Sequence, residues 1–285
     1  MTFREIATAW FEDKEKSLKP VSLEAYKYAL STTILPALGE LEEVTVGDID
    51  ALKATMTESG VKTSSFRNYF NIIRSIQRYG ADRGWCRFPT WPSGLQSREY
   101  RSDKQPVLLT PLQEMKLAAH LISTPTPRHL GILLTLSFGL RLGEICTLQW
   151  SAVDLGKGVL NVIEGPGKLR RIPIPQEMLP ILEHCSQGKP ASTYVCTGTT
   201  EPLLTPKTLR DSLKAVGKKL DLPFLKFQDL RHNFTVRCIR SGCDFVTLMH
   251  LLGYTRAQAL YDDYKDFFPA DAPAAMSAQA QALLG

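Results

Sequence analysis

The segment that decides the fold begins Lys226-Phe227-Gln228-Asp229-Leu230-Arg231-His232-Asn233. It ends on Leu251-Leu252-Gly253-Tyr254, with Tyr264 following. Arg231 opens a long helical segment, and a Leu-Leu-Gly turn follows. Upstream, a second arginine stands beside its own glycine in Phe138-Gly139-Leu140-Arg141-Leu142-Gly143-Glu144-Ile145. Leu130 to Phe138 reads as an apolar helix, with a further helix starting at Arg141. A lone arginine is most simply a surface or salt-bridged residue. Two in order, each tied to a glycine turn, ask for a joint explanation.

Around this segment the chain has 285 residues, enough for two domains that each bury a core. It is 44% hydrophobic and 22% charged, the composition of a globular protein. No apolar run reaches transmembrane length, and Met1-Thr2-Phe3-Arg4-Glu5 lacks the apolar core of a secretory signal. The six cysteines form no CxxC pair and no metal-ligand spacing, which suits reduced thiols in a cytoplasmic protein. The formal charge of +5 is unevenly spread. Residues 1–90 carry 12 basic and 12 acidic side chains, and residues 91–285 carry 22 and 17.

The N-terminal region, residues 1–91, reads as a small helical domain. Phe3, Ile6, Ala7, Trp10 and Phe11 recur at helical spacing, with Trp10 inside. Ser22 is placed to cap a second helix running to about Leu35, punctuated by Pro36 and Gly39. Thr45 to Met56 and Thr63 to Arg83 give a third and a fourth. On the fourth, Phe66, Tyr69, Phe70, Ile73, Ile76 and Gln77 share one side, while Arg67, Arg74 and Arg78 share another. Such an arginine stripe either follows a nucleic-acid backbone or simply solvates the helix.

A polar linker spans residues 92–107, in which Arg98, Arg101 and Lys104 are further candidate phosphate contacts. The second domain, residues 108–285, starts at Thr110-Pro111-Leu112-Gln113, a capping box with proline at the first helical position. Val159 to Ile163 and Arg171 to Ile174, around Glu164-Gly165-Pro166-Gly167, read as a β-hairpin. Helices return from Pro175. The fold class is therefore mainly α with one small β-sheet.

The two arginine motifs, the Leu-Leu-Gly turn and the late tyrosine together resemble the tyrosine recombinase (phage integrase) family, over nearly the whole chain. The resemblance implies a helical core-binding domain followed by a catalytic domain, without a separate arm-binding domain. It implies transesterification at a phosphate of double-stranded DNA through a 3′-phosphotyrosyl intermediate, with no metal, ATP or other cofactor. Planar guanidinium groups suit the crowded, doubly negative phosphorus of that reaction. Arg141 and Arg231 match the family's two arginines, and Glu144 matches its bracing acidic position. Tyr264 matches the nucleophile, one residue beyond the common spacing from Tyr254, and Tyr261 is its rival.

Three positions depart from the pattern. Gln228 stands where the family has histidine, and an amide can hydrogen-bond a phosphate but cannot take or give a proton near neutral pH. His232 matches a common family residue without that role. Tyr254 replaces the histidine or tryptophan after Leu-Leu-Gly, and its phenol can still donate to a phosphoryl oxygen. The lysine that protonates the leaving group falls on Gly165. Lys168 is then either that general acid or, with Arg170 and Arg171, part of a phosphate-contacting cluster. The tail from Ala270 to Leu284 either docks on a neighbouring protomer of a tetramer on paired sites or is a self-packed terminus. Two rival readings remain: an integrase-derived DNA-binding regulator with weak or lost cleavage, and a type IB topoisomerase.

Overall fold

The computed structural model describes residues 1–18, 20–61, 63–92, 106–163, 169–201 and 206–268. Lys168, Arg98, Arg101, Lys104 and the C-terminal tail lie outside the described residues. The chain divides into two compact units, Met1–Gln105 and Pro106–Gly285.

Among its described residues the regular elements of the first unit are all helical. Its elements are α1 (Phe3–Glu15), α2 (Pro20–Ala29), a π-helical turn (Leu30–Ile34), α3 (Leu35–Leu38), α4 (Val46–Glu58) and α5 (Thr63–Ala81). Thr2 and Thr45 start α1 and α4 as capping boxes with Glu5 and Asp48. Trp10, Ile34, Ile49, Phe70, Ile73 and Ile76 form its core. Two expectations need correction here. Ser22 lies inside α2, which already begins at Pro20, because proline fits a first helical turn. Pro36 does not end the helical path either. It lacks the N–H that Thr32 would receive, and the Leu35 N–H bonds to the Leu30 carbonyl, widening the turn into the π form.

The apolar side of α5 is buried as its pattern requires, and the Gln77 amide reaches the Val44 carbonyl at 3.2 Å. Arg67 and Arg74 are half-buried, and Arg78 is exposed, its guanidinium 4.0 Å from the Phe88 ring.

The second unit begins with α6 (Pro111–Ser123), α7 (Pro127–Phe138) and α8 (Leu142–Cys146). A three-stranded antiparallel sheet follows, in the order β1 (Val153–Asp154), β2 (Val159–Ile163), β3 (Leu169–Pro173). Then come α9 (Leu179–Ser186), α10 (Lys207–Lys219), α11 (Phe227–Arg240), α12 (Phe245–Leu252) and α13 (Ala257–Tyr264). Helix α7 is apolar nearly all round and runs through the centre, against α6, α10 and α11. Thr110 and Gln113 form the expected capping box.

Arg231 does not open α11. The helix starts one turn earlier, because Lys226 is extended and the Asp229 carboxylate accepts its N–H at 2.8 Å. Asn233 then clasps the start of the unit, accepting from Leu109 N–H at 2.7 Å and donating to the Val107 carbonyl at 2.9 Å.

Candidate active site

Two glycine turns bring the arginines together. Gly139 ends α7 in the left-handed conformation, at φ +63°. Gly253 ends α12 in the same way, at φ +66°. The Arg231 side chain, only 3% exposed, donates to the Gly139 carbonyl and, at 2.6 Å, to the Leu252 carbonyl. Arg141, at the start of α8, donates to the Gly253 carbonyl at 3.1 Å. Consecutive carbonyl oxygens of the Leu-Leu-Gly turn thus hold both guanidinium groups. Burial lowers the pKa of Arg231, and the neighbouring Arg141 charge lowers it further. Two cations anchored this close repel each other, and an anion between them would relieve the repulsion.

Glu144 fixes the other side of Arg141. Its carboxylate accepts from the Arg141 backbone N–H and Nη1, both at 2.8 Å. It also accepts both terminal nitrogens of Arg170, at 3.2 and 3.0 Å. Burial alone would raise the carboxyl pKa, but hydrogen bonds from Arg170 and Arg141 hold it below the ordinary value.

Arg170 therefore does not join a surface phosphate cluster. It is 2% exposed and shares the inner face of β3 with Ile172. Period-two alternation against buried Val162, its partner across the ladder, was the signal for this. Arg171 points outward as expected.

The two candidate tyrosines differ sharply. Tyr261 is 50% exposed, whereas Tyr264 is 1% exposed. The Tyr264 hydroxyl shares a 2.6 Å hydrogen bond with Nδ1 of His232. Burial pushes the Tyr264 phenol up, with the Thr235 hydroxyl and the Arg231 charge pulling against it. His232 in turn meets the Gln228 amide one helical turn back, Nε2 to Nε2 at 3.2 Å. Burial lowers the His232 pKa, opposed by Asp229 and Asp263. Tyr254 stands by the Arg231 guanidinium, but its hydroxyl donates to Asp263 at 2.9 Å, and burial raises its pKa.

The structure thus gathers Arg141, Arg231, Gln228, Tyr254 and Tyr264 in one place, together with Glu144, Arg170 and His232. A cavity of about 580 Å³ opens against three of them, Arg141, Gln228 and Arg231, and is lined also by Arg210, Lys214 and Lys226 among others. Its charged lining is five basic side chains against Asp211 alone, which suits a phosphate. Among the described residues no cluster of metal-ligating side chains occurs.

This helical domain presents two turn-anchored arginines beside a buried tyrosine. Residues 108–268 match the model of the phage integrase family, and residues 2–42 match the SAM-like N-terminal domain of phage integrases. The chain belongs to the phage integrase family.

Among curated relatives, tyrosine recombinase XerC of Xanthomonas campestris is 26% identical over 85% of this chain and 77% of its own length. Tyrosine recombinase XerD of Proteus mirabilis is 29% identical over 85% of this chain and 81% of its own length. Among solved structures, the Tn1549 transposon integrase in complex with circular intermediate DNA superposes with a TM-score of 0.76. It is 16% identical, covering 98% of this chain and 99% of that one. Lambda integrase bound to DNA gives 0.61 at 20% identity, covering 88% and 91%. The structural likenesses bear out the fold class, mainly helical with a small sheet.

Proposed function

We propose that this protein is a site-specific DNA recombinase that cuts and rejoins double-stranded DNA through a phosphotyrosyl intermediate. The observation that carries the reading is the pair of guanidinium groups, Arg141 and Arg231, hung from adjacent carbonyls of one turn beside the Tyr264 hydroxyl. The scissile phosphate would sit between them, with donors already oriented toward the developing charge. The Tyr264 oxygen would bond to phosphorus as the 5′ oxygen leaves. The covalent bond conserves the energy for rejoining, so no cofactor is consumed. Tyr254 and Gln228 would flank the phosphate, and Lys168 would serve as general acid to the leaving oxygen.

Arg67, Arg74, Arg78, Arg98 and Arg101 are proposed backbone contacts, and protomers are proposed to pair sites as a tetramer through the C-terminal tail. The relatives are recombinases, and one solved lambda integrase is a tetramer bound to a Holliday junction.

A second reading, DNA binding with cleavage lapsed, is favoured by Gln228 and by the engagement of the Tyr254 hydroxyl with Asp263. Covalent trapping on a nicked suicide substrate separates the two. A wild-type adduct that disappears in Tyr264→Phe supports the recombinase. Binding without an adduct supports the regulator, and an adduct lost instead in Tyr261→Phe would move the nucleophile.

A further inference from the structure

We propose that His232 is the base that takes the phenolic proton from Tyr264 during attack, and that the neutral amide of Gln228 sets which ring nitrogen is free to do so. The assignment rests on the cleavage reading above.

A phenol is protonated at neutral pH and is then a weak nucleophile, and Tyr264 is shifted further toward its protonated form by burial. The site must therefore offer a proton acceptor within hydrogen-bond reach. The Nδ1 atom of His232 is 2.6 Å from the phenolic oxygen, and the imidazole is a group that titrates near neutrality. Gln228 cannot substitute, since an amide takes up no proton at these pH values.

The partner on the other side of the ring matters equally. Gln228 and His232 lie one turn apart on α11. When the amide presents its NH₂ to the ring, Nε2 accepts, Nδ1 carries the hydrogen, and the phenol is not activated. When the exposed amide turns through 180°, its oxygen faces Nε2–H, and the Nδ1 lone pair meets the phenolic O–H. Rotation of one surface amide thus selects the reactive tautomer.

In the step itself, the Tyr264 O–H bond breaks and its proton passes to Nδ1. The tyrosine oxygen bonds to phosphorus, and the bond from phosphorus to the 5′ oxygen breaks. That oxygen takes its proton from an ammonium group or water. Rejoining returns the His232 proton to the phenol.

The groups facing His232 are Gln228, Asp229 and Arg231 from its own helix, and Asp263 and Tyr264 from α13. Burial lowers its pKa below 6.5, so the ring is neutral and competent at pH 7. Cleavage should fall as pH drops through that lowered value.

The test is single-turnover adduct formation against pH, on a nicked duplex first selected by its binding to the full-length protein. His232→Asn keeps a hydrogen-bonding atom near Nδ1 but accepts no proton. It should bind the duplex like wild type, lose roughly 10²- to 10⁴-fold in cleavage rate, and lose the acidic limb of the profile. Gln228→Glu leaves the imidazole in place and sets a carboxylate against Nε2–H, so the acidic midpoint should move to higher pH. Near-wild-type cleavage by His232→Asn, or a midpoint unmoved by Gln228→Glu, would overturn the assignment. If the asparagine variant fails to fold, the glutamate variant decides alone. Absence of a wild-type adduct on the bound duplex would instead sink the cleavage reading, and this assignment with it.

Discussion

A Cβ added at Gly139 would lie 2.4 Å from Cδ1 of Phe234 and 3.1 Å from Cδ2 of Leu252, and the residue already needs φ +63°. Gly139→Ala therefore combines about 1–2 kcal/mol of left-handed strain with roughly 1–3 kcal/mol of overpacking. An unfolding free energy from urea titration lowered by less than that strain alone would show that the turn relaxes. Glu144 carries the second prediction at this scale. Its carboxylate is the counter-ion of Arg170, whose side chain is 2% exposed. Glu144→Gln should cost about 3 kcal/mol, the lower end for a broken buried pair, because the amide still accepts one hydrogen bond. The pH dependence has a definite sign. A carboxyl held below 4.5 in the folded state contributes fully above that value and loses its contribution as pH falls through the lower, folded one. Wild type and Glu144→Gln should thus differ most near neutrality and converge in acid. Parallel stability curves down to pH 3 would contradict the charged pair.

Among the elements, the turn at Leu252 and Gly253 bears most of the geometry, since its two carbonyls hold Arg231 and Arg141. Gly253→Ala should cost only about 1–2 kcal/mol for its left-handed backbone. Shifting the Gly253 carbonyl removes one of the anchors of Arg141 and leaves Glu144 to hold it from the other side, so adduct formation should fall by more than stability while DNA binding persists. Equal loss of binding and cleavage would place the turn in docking instead. Both glycine turns were legible in the sequence because glycine next to a leucine-rich helix end is a local signal. So were the capping box at Thr110 and the buried face of α5. Other features depend on packing between distant segments. The contact between His232 and Tyr264 needs α11 and α13 to meet, which no spacing encodes. The π turn before Pro36 is a compromise between a missing N–H and a helix whose Leu30 and Ile34 are both buried in the core. The phosphate-cluster alternative for Arg170 arose because an arginine in a basic run looks solvated, although strand alternation places it beside Ile172.

At the scale of the whole molecule, charge decides how DNA would be held. Residues 1–90 are neutral and the excess of +5 lies beyond them, so the overall field is weak and individual phosphate contacts must supply the affinity. Each contact releases counter-ions, and log affinity should fall linearly with log salt, by about 0.9 for each phosphate neutralised on a duplex. On α5, Arg67 and Arg74 are the informative pair, because Arg78 is stacked on Phe88 and its loss would also remove about 0.5–1 kcal/mol of cation–π contact. Arg67→Gln and Arg74→Gln should each lower the salt slope by about 0.9 without changing the melting temperature. Tyr264→Phe should leave the slope unchanged, since the phenol neutralises no phosphate. Titrations of full-length protein against one duplex, from low to moderate salt, read all three at once. If the double variant of Arg67 and Arg74 keeps the wild-type slope, the stripe on α5 is a solvated face, and the contacts come from elsewhere, from Arg98 and Arg101 or from the basic side chains around Arg141 and Arg231.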